Sequence, residues 1–111
     1  MKNIAIVGFM GTGKTVIAGE LAKRTGRKYT STDDLIVERE ARPISEIFRD
    51  DGEAYFRTVE KEVVAEVSGG SGQVIDTGGG VVLDEENMRN LRGNGVVVCL
   101  WASPEAIHKR T

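Results

Sequence analysis

With 111 residues, 40% apolar and 29% charged, the chain can build one hydrophobic core but not two, so a single domain over 1–111 is expected. Its 15 basic and 17 acidic residues are intermixed and leave a net charge of −2, which argues against nucleic acid or an anionic membrane surface as a partner. The longest strongly apolar run, Val96 to Ala102, is far shorter than a bilayer span, and Gly8 and Lys14 interrupt the N-terminal apolar stretch before a signal-peptide pattern completes, so a cytoplasmic location is expected.

Asn3 to Val7 is a short β-branched run ending in glycines, and Lys14 to Thr25 then repeats apolar residues at helical spacing through Ile17, Ala18, Leu21 and Ala22. Gly26 closes that helix, and Lys28 to Ser31 predicts a brief second strand before Asp33 and Asp34. Pro43 starts a short helix with Ile44, Ile47 and Phe48 on one face, and Phe56, Val59, Val63 and Val67 mark a longer one ended by Gly69-Gly70-Ser71-Gly72. Val74-Ile75 predicts a buried strand running into Asp76, Thr77 and the triplet Gly78-Gly79-Gly80. Asp84 caps a further helix, Gly93-Asn94-Gly95 turns the chain, and Val96 to Trp101 predicts a buried strand that holds the lone Cys99 as a core thiol. Ser103-Pro104 opens a last helix. Alternating strands and helices predict an α/β fold: a mainly parallel sheet covered on both faces, with ligands at the carboxyl ends of its strands.

Gly8-Phe9-Met10-Gly11-Thr12-Gly13-Lys14-Thr15 matches the phosphate-binding pattern of P-loop proteins between a strand and a helix, as the pattern requires. Polyphosphate oxygens need several converging N–H donors, which a tight glycine turn at a helix N-terminus supplies together with a favourable dipole. Gly11, Thr12, Gly13, Lys14, Thr15 and Val16 are therefore the expected nucleotide-binding residues. Lys14 neutralises the β- and γ-phosphates, and the Thr15 hydroxyl falls where magnesium is coordinated. The fold expected is the three-layer sandwich of P-loop NTPases.

Such a loop fits kinases, GTPases and ATPases alike, so the acceptor side must discriminate. Ser31-Thr32-Asp33-Asp34, Phe56-Arg57-Thr58-Val59-Glu60 and Gly78-Gly79-Gly80 follow the loop in the order and near the spacing of the D-[ST]-D, F-R-x-x-E and G-G-G segments of shikimate kinases. Over nearly all its length the chain resembles that family. The resemblance implies ATP- and magnesium-dependent phosphorylation of the 3-hydroxyl of shikimate, in aromatic amino-acid synthesis, by a cytoplasmic monomer. It makes Asp33 the base or orienting group for the attacking hydroxyl, alongside Lys14 as the second catalytic residue, although Thr30-x-x-Asp33 and Ser31-x-x-Asp34 also fit helix caps. Arg57 is implied as the partner of the shikimate carboxylate, steadied by Glu60, against the plainer reading of a helix pair with Glu53. Gly78, Gly79 and Gly80 are implied at the acceptor.

Ser31 stands where the family has its first aspartate, and Asp76 where it more commonly has a small residue; Asp76 is expected to restore a carboxylate to the magnesium shell. Arg110 corresponds to an arginine that packs on adenine. His108 is read as solvated, Trp101 as core. The resemblance further implies a lid with a phosphate-reaching arginine, a second acceptor arginine, a strand and an adenine-contacting loop. The final helix, two turns long at Thr111, is expected to be a truncation before the lid and last strand, with little turnover by the 111 residues alone. A related small-metabolite kinase, such as a gluconate kinase, and a non-catalytic nucleotide-binding paralogue are the alternatives.

Overall fold

The structure, a computed structural model, describes residues 1–8 and 13–100. The helix expected from Ser103, with Trp101 and His108, lies outside the described residues. Four strands, β1 (Asn3–Gly8), β2 (Lys28–Ser31), β3 (Gln73–Asp76) and β4 (Gly95–Leu100), form a wholly parallel sheet in the order β2-β3-β1-β4. The helices are α1 (Lys14–Thr25), α2 (Thr32–Glu40), α3 (Ile44–Ser68) and α4 (Glu85–Gly93), with one 3-10 turn at Val81–Leu83.

Because strand side chains alternate between faces, the central strands feed two cores. Ile6 and Val74, flanked by Ile4 and Tyr29, pack against Ala18, Ala22 and Leu21 of α1. Ala5, Val7 and Ile75 face the opposite layer, where Ile36 of α2, Phe56, Val59, Val63 and Val64 of α3 and Leu91 of α4 close over them. Ala5, Ile6 and Val7 are 1%, 0% and 0% exposed, as expected of a parallel strand covered on both sides, and each large apolar side chain so buried contributes about 1.5–3 kcal/mol. The fold is thus the expected three layers.

Local chemistry sets the joints. Asn3, itself buried, donates from Nδ2 to the Gly70 carbonyl at 3.0 Å and accepts the Gln73 amide at 3.1 Å, which ties the entrance of β1 to that of β3. Asp84 caps α4 by accepting the amides of Glu86 and Asn87 at 2.8 and 3.3 Å. The two helices expected after Pro43 run on as α3, broken at Gly52, whose φ of 85° and ψ of 172° suit glycine. That break sets the first half of α3, with Ile47 and Phe48, at an angle to the half carrying Phe56 and Arg57.

At the end of α2, Ala41 takes the left-handed conformation, φ 57° and ψ 35°, which costs a side-chain-bearing residue about 1–2 kcal/mol. Ala41→Gly removes that cost and adds unfolded-chain entropy, a smaller opposing effect. The substitution should stabilise the fold by about 0.5–1 kcal/mol, read as a higher urea midpoint at unchanged m-value; a lower midpoint would contradict the strain.

The last strand departs from expectation. Val96 and Val98 are 54% and 37% exposed and Cys99 is exposed, so the buried strand and the core thiol are corrected to an exposed strand at the edge of the sheet among the described residues. The register places Val96 beside Ile4 and Val98 beside Ile6, on the face that α1 covers. Helix α1 packs over β3, β2 and β1, and its cover does not extend across β4 among the described residues.

Candidate active site

All four parallel strands point their carboxyl ends the same way, and the chemistry-bearing residues collect there. Gly8 leaves β1 with φ 144°, and Gly13 enters α1 with φ 77° and ψ 20°, both conformations that favour glycine. Among the described residues the Ile17 amide bonds to the Gly13 carbonyl at 3.0 Å, which opens the ladder of α1, and the first-turn amides of a helix are donors suited to an anion. Lys14 is 8% exposed. Its Nζ donates to the carbonyls of Gly8 at 3.2 Å and Thr77 at 2.5 Å, which pins one positive charge between the ends of β1 and β3. Gly13, Lys14, Thr15 and Val16 line one wall of a cavity of about 370 Å³; Asp33, Asp76, Gly78 and Gly79 are among the residues opposite.

The acidic wall follows from strand register. Ser31 and Asp76 are direct neighbours across β2 and β3, so the last residues of both strands stand side by side at the cavity floor. Asp76 is 6% exposed, and its Oδ2 accepts the Tyr29 hydroxyl at 2.7 Å. Burial, reinforced by the hydrogen bond to Asp76 and its charge, pushes the Tyr29 phenol up to about 12, which keeps it a neutral donor. Thr15 and Asp76 line this cavity, and a hydroxyl and a carboxylate are hard oxygen donors of the kind that suits magnesium. Among the described residues no three His, Cys, Asp or Glu side chains cluster as a metal cage. Magnesium in phosphoryl-transfer sites needs none, since phosphate and water supply most of its ligands.

A second cavity, of about 570 Å³, adjoins the first and shares Asp33, Gly78 and Gly79 with it. Arg57, Glu60, Phe48, Phe56 and Gly80 are among its other walls. Arg57 Nη1 donates to Glu60 Oε1 at 2.9 Å, and Nη2 lies 3.5 Å from Glu53 Oε2. Glu60 is 2% exposed, whereas Glu53 is largely solvated, so the Glu60 bond is the one that orients the guanidinium. Arg57 also lies over the Phe56 ring, 5.2 Å from its centroid, and Phe56 stacks obliquely on Phe48 at 4.7 Å. Burial pushes the Glu60 carboxyl upward, with the Arg57 charge opposing it.

The glycine triplet is held against both. The buried Thr32 hydroxyl accepts the Gly78 amide at 3.1 Å. A Cβ on Gly78 would come within 2.6 Å of Asp33 Oδ1, and one on Gly80 within 2.2 Å of Arg57 Nη1. Asp33 therefore sits where the cavities meet, half-buried beside the loop. Burial raises its carboxyl above the usual range, with Lys14 and Arg57 pulling down and Asp76 and Asp34 pushing up. Such a group can accept a proton from, or orient, a hydroxyl entering from the Arg57 side.

Gly13, Lys14, Thr15, Val16, Asp33, Asp76, Gly78 and Gly79 thus share one cavity, and Asp33, Arg57, Gly78, Gly79 and Gly80 the other. Gly11, Thr12 and Arg110 lie outside the described residues. The capping alternative divides: Ser31 Oγ caps α2 by accepting the Asp34 amide at 3.2 Å, and the Asp33 side chain points to the cavities. Both expected pairings of Arg57 occur. Tyr29 and Thr32 were not singled out as site residues; the signal for Tyr29 was its place two residues before Ser31, on the same strand face, and that for Thr32 the hydroxyl preceding Asp33.

The shikimate kinase family model matches residues 10–111. The shikimate kinase of Thermodesulfovibrio yellowstonii is 46% identical over 99% of this chain, which spans 64% of that protein's length. A solved shikimate kinase from Acinetobacter baumannii, in complex with shikimate, superposes with a TM-score of 0.90 at 36% identity over 100% of this chain and 62% of its own. A gluconokinase from Sinorhizobium meliloti, 18% identical over 99% of this chain and 65% of its own, reaches a TM-score of 0.56 and shares the fold alone. With the family model matching almost the whole chain, and with the Arg57–Glu60 pair and the glycine triplet in place, the chain belongs to the shikimate kinase family.

Proposed function

We propose that this chain carries the nucleotide and acceptor sites of a kinase that moves the γ-phosphoryl group of ATP to the 3-hydroxyl of shikimate. The observation that carries the reading is Asp33 at the junction of two cavities, one walled by Lys14 and the first turn of α1, the other by Arg57 and the glycine triplet. The first-turn amides and Lys14 bind the polyphosphate. Gly11 and Thr12 contribute to the same loop, and Arg110 packs on adenine. Arg57, its plane set by Glu60, takes the shikimate carboxylate through two parallel hydrogen bonds. Gly79 and its neighbours admit the ring close to backbone, and Asp33 orients the hydroxyl and receives its proton. Thr15 and Asp76 hold magnesium, which when bound with ATP spreads the charge on the transferring group. A monomer in the cytoplasm completes the reading, in aromatic amino-acid synthesis.

ADP release from magnesium-ATP by the 111-residue chain, and by any longer product of the same reading frame, should depend on shikimate and not on gluconate. Calorimetry should show shikimate binding that Arg57→Ala weakens. Release driven by gluconate, or shikimate that neither binds nor stimulates release from folded protein, would remove the assignment.

A further inference from the structure

We infer that Tyr29 is a positioning residue for the divalent cation of the nucleotide, acting through Asp76; the inference rests on the proposal that Asp76 faces that cation. Tyr29 and Ser31 alternate on β2, Val74 and Asp76 on β3, and the register pairs Tyr29 with Val74 and Ser31 with Asp76. All four side chains therefore lie on the sheet face that α1 covers. From that position Tyr29 reaches diagonally, one pleat forward, and its hydroxyl meets Asp76 Oδ2 at 2.7 Å.

The consequence for the carboxylate is geometric. A magnesium ion that keeps most of its phosphate and water ligands can accept one carboxylate oxygen, and the direction of that oxygen decides whether it completes the octahedron. With Oδ2 engaged by Tyr29, the rotation of the carboxylate about its last bond is set, and Oδ1 is left for the cavity that Thr15 lines from the other side. The Tyr29 ring packs on the core around Ala18, Ala22 and Val74, so the hydroxyl is held by a rigid body. Ser31, beside Asp76 in register, accepts the Asp34 amide at its Oγ.

Hydrogen-bond partners of ligating carboxylates typically contribute 10–100-fold in metal affinity. The probe is Mn²⁺, titrated into the folded chain saturated with ADP and followed by the electron paramagnetic resonance of the unbound ion. Tyr29→Phe should weaken Mn²⁺ binding about 10-fold or more, while ADP affinity in EDTA stays as in the parent, and p-aminophenylalanine at position 29, which returns a donor, should recover much of the loss. Asp76→Asn should weaken Mn²⁺ binding as well, and Tyr29→Phe should add nothing in that background. An Asp76→Asn variant that binds Mn²⁺ normally overturns the cation assignment together with this inference. If Asp76→Asn weakens binding while Tyr29→Phe does not, or if the two losses add in full, the inference alone is overturned.

Discussion

Asp33→Asn is expected to lower shikimate-dependent ADP release by about 10²–10⁴-fold, the usual range for loss of a positioned proton acceptor, and at the same time to raise the melting temperature. The two effects share a cause. Asp33 is drawn out of water at the meeting of the two cavities, and burial holds its carboxyl above the ordinary range despite Lys14 and Arg57 nearby. A carboxyl whose folded pKa exceeds its unfolded one binds more protons in the native state, so its contribution to stability falls as pH rises through that interval. Above both values the ionised group stands as a net cost to the fold, and the neutral carboxamide relieves it. The acidic limb of the kcat/KM profile should likewise lie above the usual carboxylate range in the parent. Asp33→Asn should retain ADP affinity, since the amides of α1 and Lys14 are untouched. Turnover within a few-fold of the parent, or a fold destabilised at neutral pH and no more stable than the parent at any pH, would show that Asp33 serves structure and not transfer.

The parts legible from sequence were those whose information is local. A β-branched run, glycines and an amphipathic repeat follow one another within Asn3 to Thr25, and each is a short-range steric or periodic signal, so β1 and α1 are both legible from sequence. The Arg57–Glu60 bond was legible because residues three apart on a helix share a face. Strand order is another matter. Ser31 and Asp76 are neighbours only because β2 and β3 pair in one particular register, and nothing near either residue encodes that pairing. The Tyr29 hydroxyl likewise has meaning only once Asp76 is beside it. Val96-Val97-Val98 and Ile4-Ala5-Ile6 are similar as strings, yet among the described residues one lies at the edge of the sheet and the other inside it, and burial follows position in the sheet. Cys99 lies exposed along with Val96 and Val98, whereas Val97 still packs against the core.

Gly80→Ala should disable the acceptor site while leaving the fold intact. The backbone at Gly80, φ −91° and ψ −4°, accepts alanine without strain, so only contact matters. The new methyl would lie 2.2 Å from Arg57 Nη1 and 2.6 Å from both Cζ and Nη2, far inside van der Waals separation. The obstructed group is the end of a long side chain, which can swing toward solvent at small cost to the core. What it leaves is the buried Glu60 carboxylate, and a charge-assisted bond of this kind is worth about 1.5–3 kcal/mol, toward the low end for an arginine partly in water. Glu60, already raised by burial, then loses the charge that opposed its protonation and takes up a proton more readily, which spares the fold an unpaired ion. The acceptor has no such escape, because its carboxylate would meet a methyl where the guanidinium fork had been. Shikimate affinity should fall about 10–100-fold, matching a loss of about 1.4–2.8 kcal/mol, with ADP affinity unchanged. Adding Arg57→Ala should then cost little more, since both substitutions remove one interaction. Calorimetric titration of shikimate into the two single variants and the double variant decides the matter: full additivity, or an unaltered affinity for Gly80→Ala, would mean that Arg57 meets the acceptor from some other position or not at all.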